Sequence, residues 1–377
     1  MTSSGHPSLK LPAVDVLRGV ASLGVAWFHS RVDLWVGFRP IQADPESYTA
    51  WDRLFSYFSL PVSQLGGLVM MFSVLSGFCI HLPVAAKGQA PHWGAYAVRR
   101  ILRIYPPYAL TLLLCFVIGI LFFRSSGGAQ GAEELATYAS SSVMLQNWLT
   151  GGRQISLNPS LWSVPIEVEF YLVYPFIYGL WRSQGARAAL VLTLLFTGIG
   201  CLLFINGLGD LNVFFNYALI WNSGAWLAEV YAKGALPPWT RWHGIALVAS
   251  FFLSFLAGLG GTHDFLLNYS WALFSFLLLM WLLGPGANVF STHHWWVPPL
   301  VFLGTISYSL YLLHFPLFKL WGSSWLQIAG FKPVSFLIPT LATLLVIPLA
   351  WCFYRWVERP FHQLGRRWAA ELQDGQP

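Results

Sequence analysis

Five stretches of this chain set ionisable or hydroxyl side chains at helical spacing inside otherwise apolar sequence. Such groups are costly in lipid unless they face a cavity or a partner. The first, LPAVDVLRGVASLGVAWFHS, carries Asp15, Arg18, Ser22 and His29. At about 100° per residue, Asp15, Ser22 and His29 fall within about 60° of Arg18. A helix here bears one polar stripe, with Arg18 and His29 about 16 Å apart along its axis. Two readings fit. Either an Asp15–Arg18 pair fixes helix packing and His29 sits at the interface, or the stripe lines a buried channel ending in an imidazole general base.

The second stretch, VRRILRIYPPY, puts Arg99 and Arg103 on one helical face, widened by Arg100. Positive-inside anchoring would explain the charge, but guanidinium pairs on one face also suit phosphate oxygens. The third, LWSVPIEVEFYLVYP, holds Glu167 and Glu169 on different sides of a helix, with Tyr171 on the side of Glu167. Glu167 there orients a catalytic His, binds a sugar hydroxyl or pairs with a buried Arg. The fourth, GTISYSLYLLHFPLF, aligns Ser307, Tyr311 and His314 on one face, for a substrate or for interhelical hydrogen bonds. The fifth, YRWVERPF, sets Glu358 between Arg355 and Arg359 before Pro360 and reads as a cytoplasmic anchor.

Other chemistries lack their residues. There is no Gly-rich phosphate loop with a following Lys-Ser or Lys-Thr, no G-x-S-x-G elbow and no H-E-x-x-H. ATP hydrolysis and serine-hydrolase chemistry are not expected. The His residues are scattered, and the adjacent His293 and His294 face apart, so no metal is expected. Cys79, Cys115, Cys201 and Cys352 each lie in an apolar run and read as small core hydrophobes with no disulfide.

The elements that position these groups follow from composition. Charged residues make up 10% of the 377 residues and aromatic residues 17%, with a mean hydropathy of +0.58. Soluble proteins carry about 25% charged residues. The composition excludes a disordered chain, a collagen-like chain and a nucleic-acid module, and leaves a protein whose solvent is lipid. Apolar runs predict helices near 12–29, 62–82, 104–123, 161–181, 187–205, 212–232, 243–260, 265–284, 298–320 and 334–356. The expected fold is therefore an all-α membrane bundle of about ten transmembrane helices, one domain over 1–377 with no repeat.

With the N-terminus inside, the inner segments hold thirteen basic residues and three acids, against seven and eight in the outer loops. Both termini are thus expected in the cytoplasm. The longest outer segments, 30–61 and 124–160, are long enough to be functional or structured. Asp15 and Arg18 interrupt the first apolar stretch, which has no small-residue cleavage site, so no cleavable signal peptide is expected.

Together these stretches resemble acyltransferase family 3, the polytopic membrane O-acyltransferases that modify cell-surface glycans and some other hydroxyl compounds. The resemblance rests on Asp15-x-x-Arg18-Gly19 with His29 beyond it, MFSVLSGFCI, Arg99-x-x-x-Arg103, LQNW at 145–148, LWSVPIEVEFYLVYP, SYSLYLLHFP and VERPF. These occur in family order over essentially the whole chain. MFSVLSGFCI is less aromatic than the usual form, and Glu169 stands where Gln or an aromatic is common.

The resemblance implies transfer of an acyl group, usually acetyl, from cytoplasmic acyl-CoA to an acceptor hydroxyl on the outer side. Acyl-CoA is a cosubstrate; no permanently bound cofactor and no nucleic-acid partner are expected, nor an appended esterase-like domain. His29 matches the family's essential His, Arg18, Arg99 and Arg103 its functional arginines, and Glu167 the acid after the Trp-Ser pair. On that reading Arg99, Arg103 and Arg100 meet the donor phosphates, and the pantetheine arm follows Arg18 and Ser22. His29 is the base, oriented by Glu167 or Asp15, and Ser76 or Tyr311 supplies an oxyanion donor. Tyr171, His314 and Trp148 complete the substrate side.

Direct transfer and an acyl-His29 intermediate both remain open. The acceptor is expected to be a carbohydrate, because Trp35, Tyr48, Trp51, Tyr57, Tyr138 and Trp148 in the outer loops suit sugar rings. A lipid-linked unit of an exopolysaccharide or O-antigen, met at a bacterial inner membrane, is the specific expectation. The alternatives are a transporter of a polar or lipid-linked sugar, and an acyltransferase with succinyl or longer donors or a small-molecule acceptor.

Overall fold

The computed structural model describes residues 11–122, 129–208, 212–260 and 264–374. Lys10, Arg124 and Asp210 of the charge count, and the last residue of the third expected span, lie outside the described residues. All regular structure among the described residues is helical. The order is α1 Pro12–Leu34, α2 Phe38–Ala43, α3 Ala50–Val62, α4 Val69–Lys87, α5 Trp93–Phe122, α6 Ala129–Ser142, α7 Gln146–Leu149 and α8 Ser163–Gln184. There follow α9 Ala186–Leu203, α10 Ala218–Ala232, α11 Arg241–Leu259, α12 Asp264–Leu283, α13 Val297–Thr305, α14 Ser307–Ala329, α15 Leu337–Phe353 and α16 Arg359–Asp374.

Helices occupy all ten expected positions, with shifted bounds. The third starts at Trp93 rather than near 104, so Arg99, Arg100 and Arg103 are helical and Pro106 and Pro107 lie inside α5. The ninth breaks: α13 and α14 are bent by 71°. Among the described residues, six helical stretches are long and apolar enough to cross a membrane, or seven if the bent pair is one span. The count of ten is not reached on that measure, and α1, α8 and α10 are the helices that fall short. The reason is their polar content and length: Asp15, Arg18, His29, Arg31 and Asp33 in α1, Glu167 and Glu169 in α8, and only 15 residues in α10.

The apolar helices turn aliphatic side chains outward, as lipid-facing surface does. Leu195 on α9 is 61% exposed, Leu253 on α11 60% and Leu345 on α15 60%. The segments 30–61 and 124–160 are structured where described. α3 opens with a capping box, Thr49 Oγ1 accepting from the Asp52 N–H and Asp52 from the Thr49 N–H. Trp35, Ile41, Val62 and Phe336 form the buried cluster beneath α2 and α3.

The chain divides into two compact units. The first comprises Met1–Ala21, Gly67–Tyr96 and Ile166–Thr305, the second Ser22–Gly66, Ala97–Pro165 and Ile306–Pro377. In the first unit α4 and α10 cross through a glycine on each. A Cβ at Gly77 would stand 1.9 Å from the Trp221 carbonyl oxygen, and one at Gly224 the same 1.9 Å from that of Val74. Close backbone approach through small residues is how membrane helices pack without a hydrophobic driving force. α1 meets α13 likewise, where a Cβ at Gly304 would lie 2.0 Å from the Asp15 carbonyl oxygen. Gly77→Ala is therefore expected to destabilise the protein by at least the overpacking cost of about 1–3 kcal/mol. Gly179→Ala, at a position with nothing within 4 Å of the added Cβ, should not. Thermal unfolding in detergent separates the two.

Candidate active site

In the second unit α14 lies close against the end of α1, because Gly322 has no side chain: a Cβ there would be 2.6 Å from the Asp33 carbonyl oxygen. That approach brings two imidazoles together. His29 Nδ1 on α1 and His314 Nε2 on α14 are 2.9 Å apart. Their rings stack at 5.1 Å between centroids and 17° between planes. Phe28 and Phe315 wall the His29 ring at 4.9 and 5.0 Å. His314 is wholly buried, with Nδ1 3.3 Å from the Leu310 carbonyl oxygen. His29 is half-buried, and its Nε2 makes no hydrogen bond among the described residues.

Tyr311, one turn before His314, is committed to structure. Its hydroxyl donates to the Ser160 carbonyl at 2.5 Å, so the 2.7 Å contact with Ser163 has the serine as donor. Asn158 Nδ2 donates to the Leu312 carbonyl at 2.9 Å, and Ser160 donates to Asn158 Oδ1 at 2.6 Å. These bonds tie the turn before α8 to α14. Of the predicted face, Tyr311 thus follows the interhelical reading, and His314 is paired with His29.

The anchor reading of Glu358 is corrected. Glu358 is buried, 4% exposed, and accepts from Ser309 at 2.6 Å. It sits in the π turn Tyr354–Glu358 between α15 and α16, whose wider winding turns the carboxylate inward to α14. Arg103, Glu358 and Arg359 all lie within electrostatic reach of Tyr354. Arg99, Arg100 and Arg103 are each half-buried near the start of α5. Arg99 forms no ion pair among the described residues, and its nearest charged neighbour is Arg100. In the LQNW run, Gln146 donates to the Tyr108 hydroxyl at 3.3 Å and Asn147 to the Trp162 carbonyl at 2.7 Å. Trp148 remains 42% exposed.

In the first unit the two glutamates diverge as their spacing requires. Glu167 Oε1 accepts from the Tyr171 hydroxyl and, at 3.4 Å, from Ser76, which itself receives the Trp221 Nε1–H at 3.3 Å. Glu169 instead accepts from the Phe214 N–H at 2.8 Å. Asp15 sits at the α1–α13 contact, Arg18 is half-buried and Ser22, which belongs to the second unit, is buried. The sequence reading gave the role of orienting His29 to Glu167 or Asp15; the ring's hydrogen-bond partner is His314. Of the four cysteines, Cys115 is buried and Cys79, Cys201 and Cys352 are half-buried.

One cluster was missed from sequence. His81 Nε2 meets Glu229 Oε2 at 2.8 Å, His81 Nδ1 meets the Tyr174 hydroxyl at 3.0 Å, and Lys233 Nζ meets Glu229 Oε1 at 2.7 Å. The i,i+4 pair of Glu229 and Lys233 was a signal, but His81 gave none inside its apolar run. This chain of bonds holds α4, α8 and α10 together. Glu229→Ala should leave buried His81 without its acceptor, costing about 1–3 kcal/mol of stability. Turnover per folded molecule should be retained, as activity normalised to the monodisperse fraction would report.

A family model described as an acyltransferase domain matches residues 11–355. Acyltransferase MdmB of Streptomyces mycarofaciens is 27% identical over 181 residues, 48% of this chain and 42% of that protein. The match thus spans less than half the length of that relative. No solved structure matches the chain.

Proposed function

The chain belongs to acyltransferase family 3, and from that premise we propose that it moves an acyl group from acyl-CoA to a hydroxyl of a cell-surface or lipid-linked carbohydrate. Acetyl is the acyl group proposed, and His29 is the general base. The observation that carries the reading is the His29–His314 pair: one nitrogen of His29 is held by its neighbour and the other is uncommitted. The acceptor hydroxyl gives its proton to His29 Nε2 as its oxygen attacks the thioester carbonyl. The C–S bond breaks, and the same proton passes to the departing thiolate, leaving an ester and free CoA.

Arg99 and Arg103, with Arg100 beside them, bind the donor phosphates from the cytoplasmic side. Arg18 and Ser22 on α1 receive the pantetheine arm. Glu167, with Tyr171 and Ser76 on its carboxylate, offers hydrogen bonds to the acceptor, and exposed Trp148 offers an aromatic face to a sugar ring. The setting proposed is a bacterial inner membrane, with the acceptor on the outer side.

The test uses membranes from the host with and without the gene, given labelled acetyl-CoA, and follows label into carbohydrate and lipid-linked fractions. Gene-dependent label supports the reading. Folded protein that transfers no label from acetyl-, succinyl- or longer acyl-CoA overturns it. A further expectation concerns pH. A base works only while unprotonated, so kcat/KM should rise with pH to a plateau, governed by one group on the acid side. A flat profile across the acid range would count against an imidazole base.

A further inference from the structure

Resting on the reading of His29 as base, we propose that His314 is a positioning residue that fixes the tautomer and orientation of His29 from the main chain of α14. The Leu310 carbonyl can only accept, so His314 Nδ1, 3.3 Å away, carries a hydrogen. In a neutral ring the lone pair is then on Nε2. That nitrogen lies 2.9 Å from His29 Nδ1, which must donate to it. The lone pair of His29 is thereby assigned to Nε2, the nitrogen with no partner among the described residues.

Other geometry supports the same role. The rings are within 17° of parallel, and Phe28 and Phe315 pack on His29, which restricts rotation about its side chain. His314 is wholly buried and so acts through His29 rather than on a substrate. Fixing one ring nitrogen of a working imidazole by a hydrogen bond to the other is a general device. Here the outer partner is an imidazole tied to a backbone carbonyl. When His29 takes up the acceptor proton, its Nδ1–H bond to His314 becomes charge-assisted and shorter. The interaction is therefore stronger in the transition state than in the ground state, which is what raises turnover.

The test uses the purified full-length protein in lipid nanodiscs, with acetyl-CoA and the acceptor fraction labelled in the membrane assay. His314→Leu keeps the apolar packing and removes the acceptor; His314→Gln restores an acceptor oxygen. His314→Leu should lower kcat by about 10–100-fold, taking the loss seen when a metal-bound histidine is deprived of its hydrogen-bond partner as the scale, with the KM for acetyl-CoA unchanged. His314→Gln should recover most of that loss. Nitrogen NMR of histidine-labelled protein should show His29 as the single Nδ1–H tautomer in the unmodified protein and a mixture in His314→Leu.

Full turnover in His314→Leu overturns the inference, as does His314→Gln falling as low as His314→Leu. So does an Nε2–H tautomer for His29 in the unmodified protein, a result that does not depend on any variant folding. The underlying reading fails separately, if His29→Ala still transfers acetyl at the full rate.

Discussion

Replacing His29 with alanine should lower kcat by about 10²–10⁴-fold, the usual contribution of a positioned general base. An acceptor hydroxyl is a weak nucleophile at neutral pH, and attack on a thioester is slow unless the proton leaves as the C–O bond forms. The KM for acyl-CoA should change little, because the residues assigned to the phosphates lie on α5. The substitution also strands buried His314 Nε2, an unmet acceptor costing about 1–3 kcal/mol. Rates must therefore be expressed per folded molecule, and His29→Gln serves as a second variant that fills the same space without a base. A rate within tenfold of the unmodified protein in both variants would remove His29 from the chemistry.

The double variant Arg99→Ala/Arg103→Ala should act on the other kinetic parameter. A hydrogen bond to a charged group contributes about 1.5–3 kcal/mol, so losing two donor-phosphate contacts should raise the KM for acyl-CoA by about 10²–10⁴-fold. The kcat at saturation should be largely kept, since the interactions are made equally with substrate and transition state. Arg99 is the cleaner single change, because Arg103 lies within electrostatic reach of Tyr354 in the turn between α15 and α16. Arg99→Lys should recover only part of the loss, as a point charge lacks the planar fork that suits phosphate. If donors lacking the 3′-phosphate lose as much as acetyl-CoA does, the arginines hold something other than that phosphate.

Much of this architecture was legible from sequence because it depends on local pattern. Ten per cent charge excluded a water-covered surface, and apolar runs located the helices. Helical period separated Glu167 from Glu169 and placed Arg99 with Arg103. The same period grouped Asp15, Arg18, Ser22 and His29 on one stripe. The bounds that failed were those set by neighbours. α5 begins at Trp93, where the His92 imidazole just before it accepts from the Ala95 N–H at 3.1 Å and meets one of the helix's unpaired N–H groups.

What the sequence could not hold was which faces meet. Periodicity names the side of a helix that carries a group but not the helix opposite. His29 and His314 are 285 residues apart, and His81 and Glu229 are 148 apart. Their meetings were decided by where backbones approach closely, at Gly322 against Asp33 and at Gly77 against Trp221. Glu358 faced inward for a like reason, through a π turn that no hydrophobic pattern announces. Residue types and spacing fixed the available chemistry, and helix crossings through small residues fixed which groups are within a hydrogen bond of one another, because hydrogen bonding is a short-range matter of distance that only packing sets.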